Sequence, residues 1–399
     1  MREAHITTED LETWAGILLD HSLGGIDSND RVMIKGERIA WPLMAVLERR
    51  VIEAGGVPDV YVVPPNNDRG RVWSATMGRH GSADQIDRVP AWHRARYESM
   101  TKYVEVLGAE APPSFTGLTA DQLRSLASAD RPYADIRLSK PWVITLYPTP
   151  AFAELEGMDL DEYTRFIVGA STTDPRPLKV AEERVAPLFT EGREVVIETQ
   201  DPRDGRPLEL RVDITPGRAQ MSYGLRNFPD GEVFTSPDAR GTEGEIFVDL
   251  PVTYGGHDIR GIFLKFDGGV IVDYSAVEGH DHLSAIIETD AGSRRLGEVA
   301  LGMNPGLDRV LKHPLFVEKV GGTLHVAIGA SYEDCYVDDP SSDEGRRRIS
   351  ELEQAGVLNR SAQHVDIVTD FRPGGCGRRV TVDGVELRPQ DGVWTVVGS

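Results

Sequence analysis

The sequence predicts an α/β N-terminal domain built on a parallel sheet, followed by a mixed α+β C-terminal domain. Two observations carry this. Strand and helix patterns alternate through the first half of the 399 residues, while short strands separated by glycine-rich turns dominate the second. The change of character near residue 190 sets an expected division into 1–190 and 191–399.

Each element has a local reason. RVMIKG (31–36) reads as a strand, WPLMAVLERRVIEAGG (41–56) as a helix stopped by Gly-Gly, and PDVYVV (58–63) as the next strand. This βαβ unit requires parallel pairing and a right-handed crossover. RARYESMTKYVEVLGAE (94–110) reads as helix, PWVITLYP (141–148) as a buried strand, and FAELEGMDLDEYTRFIVG as one amphipathic helix. There is no G-x-G-x-x-G or Walker loop, and GERIAW is a poor phosphate cradle, so no nucleotide is expected here. Beyond residue 190, EVVIET (194–199) and LELRVDI (208–214) flank an Asp-Gly turn and form a hairpin. GEVFT, GEIFVDLP, IRGIFLKF and GVIVDYS follow as short strands, with a helix from about Asp281 to Arg295. TLHVAIGASY and QHVDIVTDF are the late strands. The polar stretch 338–356 between them is expected to run from loop into a short surface helix.

Composition narrows the function. With 43 basic and 64 acidic residues the formal charge is -21, which argues against a nucleic-acid surface and fits a self-repelling soluble protein. No run of 18 apolar residues is present, and MREAHITTEDLETW lacks an apolar export core, so neither a membrane span nor a signal is expected. Cys335 and Cys376 are the only cysteines, too few for a disulfide framework or a four-thiolate site, and a reducing cytoplasm is the expected setting.

Of ten histidines, only His325 and His364 sit within apolar strand patterns. His364 and Asp366 lie two apart in QHVDIV and so share a strand face. A buried carboxylate needs a cationic partner. A structural arginine, the neighbouring imidazolium or a divalent metal would each serve Asp366. Glu232 opens a strand after a turn, and Glu298 follows Gly297 before an apolar run. Two Glu, two His and one Asp form a nitrogen–oxygen donor set that suits zinc, cobalt, manganese or iron better than calcium. EGHDH (278–282) offers an H-x-H spacing, but in polar surroundings Asp281 reads better as a helix cap.

NFPDGEVFTSP, RRLGEVALG, HVAIGASY and HVDIV occur in the order and approximate spacing of the thermophilic aminopeptidase family. The chain resembles these dinuclear metallo-aminopeptidases, of the aminopeptidase T and aminopeptidase S type, most strongly from about 225 to 370. The resemblance implies metal ligands at Glu232, Glu298 (bridging), His325, His364 and Asp366, with Tyr332 at the site. It implies catalytic roles for Glu298 and Tyr332. It also implies two divalent ions per chain, zinc or cobalt first, with manganese, magnesium or iron as alternatives. A peptide or aminoacyl-amide substrate, attack by a metal-activated water, a mobile N-terminal domain and a homodimer complete the picture. One departure stands out. GMNPGLDRVLKHPLFVEKVGGTLHVAIG replaces the family's serine- and proline-containing stretch and its T-L-F-D-E-N-A segment. G-x-N-P is reminiscent of a branch of the same fold that opens dihydroxypyridine rings with a single iron. A non-peptidase metalloenzyme, such as that dioxygenase or a specialised amidohydrolase, is therefore the alternative, and an inactive binding module is a third reading.

Overall fold

The structure is a computed structural model that describes residues 4–63, 72–110, 118–254, 257–372 and 377–398. Cys376 lies outside the described residues. The chain forms two compact units: Met1–Asp174 with Gly224–Pro229, and Pro175–Tyr223 with Asp230–Ser399.

The first unit holds a five-stranded parallel sheet. Its order is Val57–Val63, Arg31–Glu37, Lys102–Leu107, Trp142–Leu146 and Asn227–Phe228. The segment 94–110 departs from its predicted helix. The helix Ala91–Ser99 ends early and Lys102–Leu107 is a strand. That strand pairs on both edges, with Arg31–Glu37 and with Trp142–Leu146. Pairing of the β-branched Val104 and Val106 outweighs the local helical spacing. The second predicted helix is two, Pro150–Glu156 and Leu160–Ser171. Gly157, at φ 67°, ends the first, and Asp159 caps the second by accepting from the Asp161 N–H.

Cross-strand register puts Lys35 beside Glu105 on one face of this sheet, with Tyr103 two residues before Glu105. Lys35 Nζ lies 3.9 Å from Glu105 Oε1 and donates to Tyr97 Oη at 3.3 Å. Tyr103 Oη donates to Glu105 Oε2 at 2.7 Å. All four side chains are buried.

The second unit holds a nine-stranded antiparallel sheet and a five-stranded antiparallel sheet around one apolar core. The hairpin at its start pairs Glu194–Gln200 with Pro207–Asp213. Three further short strands, Arg379–Val382, Val385–Gln390 and Val393–Val396, close the chain. Helix His280–Ile287 starts after Gly279, so Asp281 lies in its first turn and is not the cap. Ser342 caps the surface helix Asp343–Gln354.

The five-stranded sheet runs His364–Asp370, Thr323–Gly329, Leu296–Gly302, Glu232–Thr235, Gln220–Ser222. One face carries Val233, Val299, Leu301, Leu324, Val326, Val365 and Ile367 into the core. The other face is left for polar chemistry. Among the described residues no helix is long and apolar enough to cross a membrane.

Candidate metal centre

Strand alternation brings Glu232, His325, His364 and Asp366 to the polar face. In the ladder Glu232 pairs Gly302, Ala300 pairs His325, Ala327 pairs Asp366 and Gly329 pairs His364. The residues across from these four on the ladder, Gly302, Ala300, Ala327 and Gly329, are all small. Glu298 arrives by a different device. The register shifts between Leu296 and Glu298, so Gly297 is the extra residue of a β-bulge. A Cβ at Gly297 would collide with the carbonyls of Gly329 and Ala330, so only glycine fits. The bulge turns Glu298 onto the polar face. Gly231, at φ 148° and against Asn304, similarly sets the entry of Glu232.

The side chains then converge. His325 Nε2 lies 3.3 Å from Glu298 Oε1 and 3.7 Å from Glu232 Oε2. His364 Nε2 lies 3.0 Å from Glu298 Oε2 and 3.4 Å from Asp366 Oδ1. Glu298 thus stands between the two imidazoles, one oxygen toward each. Two overlapping groups could each hold an ion: Glu232, Glu298 and His325, and Glu298, His364 and Asp366. The Tyr332 ring packs 4.7 Å from His364 and 5.4 Å from Phe234, while its backbone N–H donates to Ser236 Oγ. All six residues singled out in the sequence therefore lie in one cluster. His280 and His282 do not join it; His282 stacks on His257 instead.

The donor set fits a divalent cation on its own chemistry. His364 Nδ1 meets the Ala330 carbonyl at 2.8 Å. A carbonyl only accepts, so Nδ1 carries the proton and Nε2 turns to the site. Both Nε2 atoms then face only carboxylate oxygens, and each needs a cation or a second proton between itself and the acids. His325 Nδ1 is buried with no hydrogen-bond partner among the described residues, and Asp366 Oδ1 meets His364 Nε2 at 3.4 Å. Without an ion, protons fill the demand. Burial opposes a charge on His325, but the hydrogen bond and charge of Glu298, with Asp366 and Glu232, lift it to about 9. Burial likewise opposes a charge on His364, and Asp366 and Glu298 push it up to about 11. Asp366, although buried, is held well below the carboxylate range by its hydrogen bond to His364 and by His325.

The sequence patterns missed a second layer. Lys319 is 1% exposed, yet its ammonium donates to Glu232 Oε1 at 3.3 Å, lies 3.6 Å from Asp230 Oδ1 and touches Glu318. Glu318 also hydrogen-bonds Asp366. Two carboxylates share a hydrogen bond only through a proton. Glu318 is the one raised well above its ordinary value, by burial first. Glu182, fully buried on helix Arg176–Glu191, is pushed up to about 10 by burial and then by Asp230 and Glu232. Asn304 ties this layer together: Nδ2 donates to the Asp230 carbonyl at 2.5 Å, and its backbone N–H to the Lys319 carbonyl at 3.1 Å. The available signal was an adjacent Glu-Lys pair following the apolar Leu315-Phe316-Val317 run.

Residues 208–377 match the family model described as thermophilic metalloprotease (M29). Aminopeptidase T of Thermus aquaticus is 37% identical over 146 residues, 35% of this chain and 33% of that protein. Aminopeptidase PepS of Streptococcus thermophilus is 27% identical over 341 residues, 77% of this chain and 78% of that protein. The match to aminopeptidase T thus spans about a third of that relative's length. Two solved structures share the fold. Wild-type AmpT from Thermus thermophilus has a TM-score of 0.72 at 21% identity, covering 97% of each chain. A 2,5-dihydroxypyridine dioxygenase from Pseudomonas putida KT2440 has a TM-score of 0.56 at 12% identity, covering 99% of each. The matched segment, which contains all five candidate donor residues, is similar to the thermophilic metalloprotease (M29) family.

Proposed function

We propose that the chain is a metal-dependent aminopeptidase that removes N-terminal residues from peptides, with Glu232, Glu298, His325, His364 and Asp366 as ligands. The observation that supports this most is the convergence of two imidazole nitrogens on carboxylates from three strands. Two divalent ions, zinc or cobalt first, are the proposed cofactors, with Glu298 shared between them. When bound, such ions lower the pKa of water to about 7 and polarise a carbonyl.

The chain's own residues do the rest. Glu298 fixes the spacing of the two subsites through its two oxygens. The Ala330 carbonyl locks the His364 tautomer. Tyr332 is 44% exposed at the rim of the cluster, so its hydroxyl can donate to an oxygen that gains charge during attack. A homodimer in the cytoplasm is the proposed working form.

The likeness to the dioxygenase is one of fold alone. Glu232 adds a third carboxylate to the Glu298, His364 and Asp366 set, which favours the hydrolytic reading over a single iron. The test is metal analysis of the purified chain, joined to assays of aminoacyl-amide hydrolysis and oxygen consumption. About two ions per chain with amide cleavage are expected. One iron per chain with oxygen uptake would overturn the proposal.

A further inference from the structure

We infer that Lys319 is a positioning residue that makes the two metal subsites unequal: the Glu232–Glu298–His325 group holds its ion more weakly than the Glu298–His364–Asp366 group. This rests on the metal-dependent reading above.

Two independent features separate the groups. The first is charge. The Lys319 ammonium has three donors and three carboxylates around it: Asp230, Glu232 and Glu318. Its donation to Glu232 Oε1 draws on that oxygen's electron density and leaves Oε2, the oxygen 3.7 Å from His325 Nε2, as the better donor for an ion. A positive charge is therefore fixed one carboxylate away from this subsite. Buried surroundings screen that repulsion poorly. No ammonium or guanidinium among the described residues contacts Glu298, His364 or Asp366 directly. The second feature is the support behind each imidazole. His364 is oriented by the Ala330 carbonyl, which raises its basicity as a ligand. His325 Nδ1 has no such acceptor among the described residues.

The lysine comes from the segment between Glu298 and His325 that departs from the family pattern. Its backbone is fixed there by Asn304, whose side chain also holds Asp230. The divergent segment thus builds the clamp on Glu232.

Chelator-stripped full-length chain is titrated with cobalt(II), followed by calorimetry and by visible absorption. Two uptake steps are expected, with dissociation constants at least ~10-fold apart. His325→Ala should remove the weaker step and His364→Ala the tighter one. Lys319→Gln, which keeps a donor but not the charge, should tighten the weaker step several-fold and leave the tighter one unmoved. Two equal steps in the unsubstituted chain overturn the inference and leave the metal-dependent reading standing. Loss of the tighter step in His325→Ala, or a weaker step untouched in a folded Lys319→Gln chain, also overturns it. No cobalt uptake by the unsubstituted chain overturns the metal-dependent reading itself. The first two results need no folded Lys319 variant.

Discussion

Each unit buries a lysine beside carboxylate, and the two clusters differ in kind. In the first unit Lys35 faces one carboxylate, Glu105, and two tyrosine hydroxyls complete the bonding. Among the described residues Glu105 is the carboxylate set against that ammonium. In the second unit Lys319 faces Asp230, Glu232 and Glu318, while Glu298 and Asp366 are met by two imidazoles that must take up a proton or give way to an added cation. A balanced, bonded network stabilises a fold and has nothing left to give a ligand. An acid excess with converging lone pairs is stable only with added positive charge. The presence of buried ionisable groups is thus a poor marker of function, while their imbalance is a good one.

The largest effect should come from removing a donor in the unbalanced cluster. His364→Ala is expected to lower metal affinity by more than ~100-fold, beyond the usual loss for a supporting partner. Hydrolysis should fall with it. Equilibrium dialysis followed by metal analysis is the readout, and retention of unsubstituted metal content would break the contrast. The matching change in the balanced cluster is Lys35→Met. It leaves Glu105 without its cation, at an expected cost of about 3–5 kcal/mol in unfolding free energy. Metal content per folded chain should not change. The pair Lys35→Met with Glu105→Gln should recover much of the loss, as denaturant unfolding of all three variants can show.

Gly297→Ala sharpens the comparison from the backbone side. An added Cβ pushes on the Ala330 carbonyl, the acceptor that orients His364. The expected cost is roughly 1–3 kcal/mol of stability and about 10–100-fold in metal affinity. Unchanged cobalt affinity in this variant would show that the bulge does not orient the ligand.

What was legible in the sequence follows the same division. His364 and Asp366 could be paired because strand period places residues two apart on one face. Glu232 and Glu298 emerged by motif, and the bulge that aims Glu298 leaves only a Gly before it. Glu318 and Lys319 left only the weak signal of an adjacent Glu-Lys pair after an apolar run, because they lie outside a strand, where no period tells inward from outward. The helix predicted over 94–110 failed for a related reason. Tyr-Val-Glu-Val carries both spacings, and only neighbours distant in sequence choose the strand. The Lys35–Glu105 pair likewise needed the parallel register between strands 70 residues apart to be seen.

The smallest effect concerns the histidines, whose proton affinities move in opposite directions in the two clusters. His93 is buried against Tyr61, Trp92, Tyr97 and Tyr133, with Lys35, Arg96 and Asp130 as the charges around it. Burial first, then Lys35 and Arg96, lowers its pKa below the ordinary 6.5. The unfolded chain therefore binds a proton at this residue before the folded chain does. Stability from a neutral His93 is present above about pH 6.5 and is lost as pH falls through the lowered folded value. One proton limits the slope to ~1.4 kcal/mol per pH unit. His93→Phe should flatten the acid side of the stability profile by up to that amount. In the metal-stripped chain His325 and His364 are raised instead, so protonation there favours the folded state. Imidazole NMR titration of that chain should find His93 neutral at a pH where both site histidines carry charge. A protonated His93 at neutral pH would mean that the first cluster also holds unbalanced acid, and the distinction between the two units would fail.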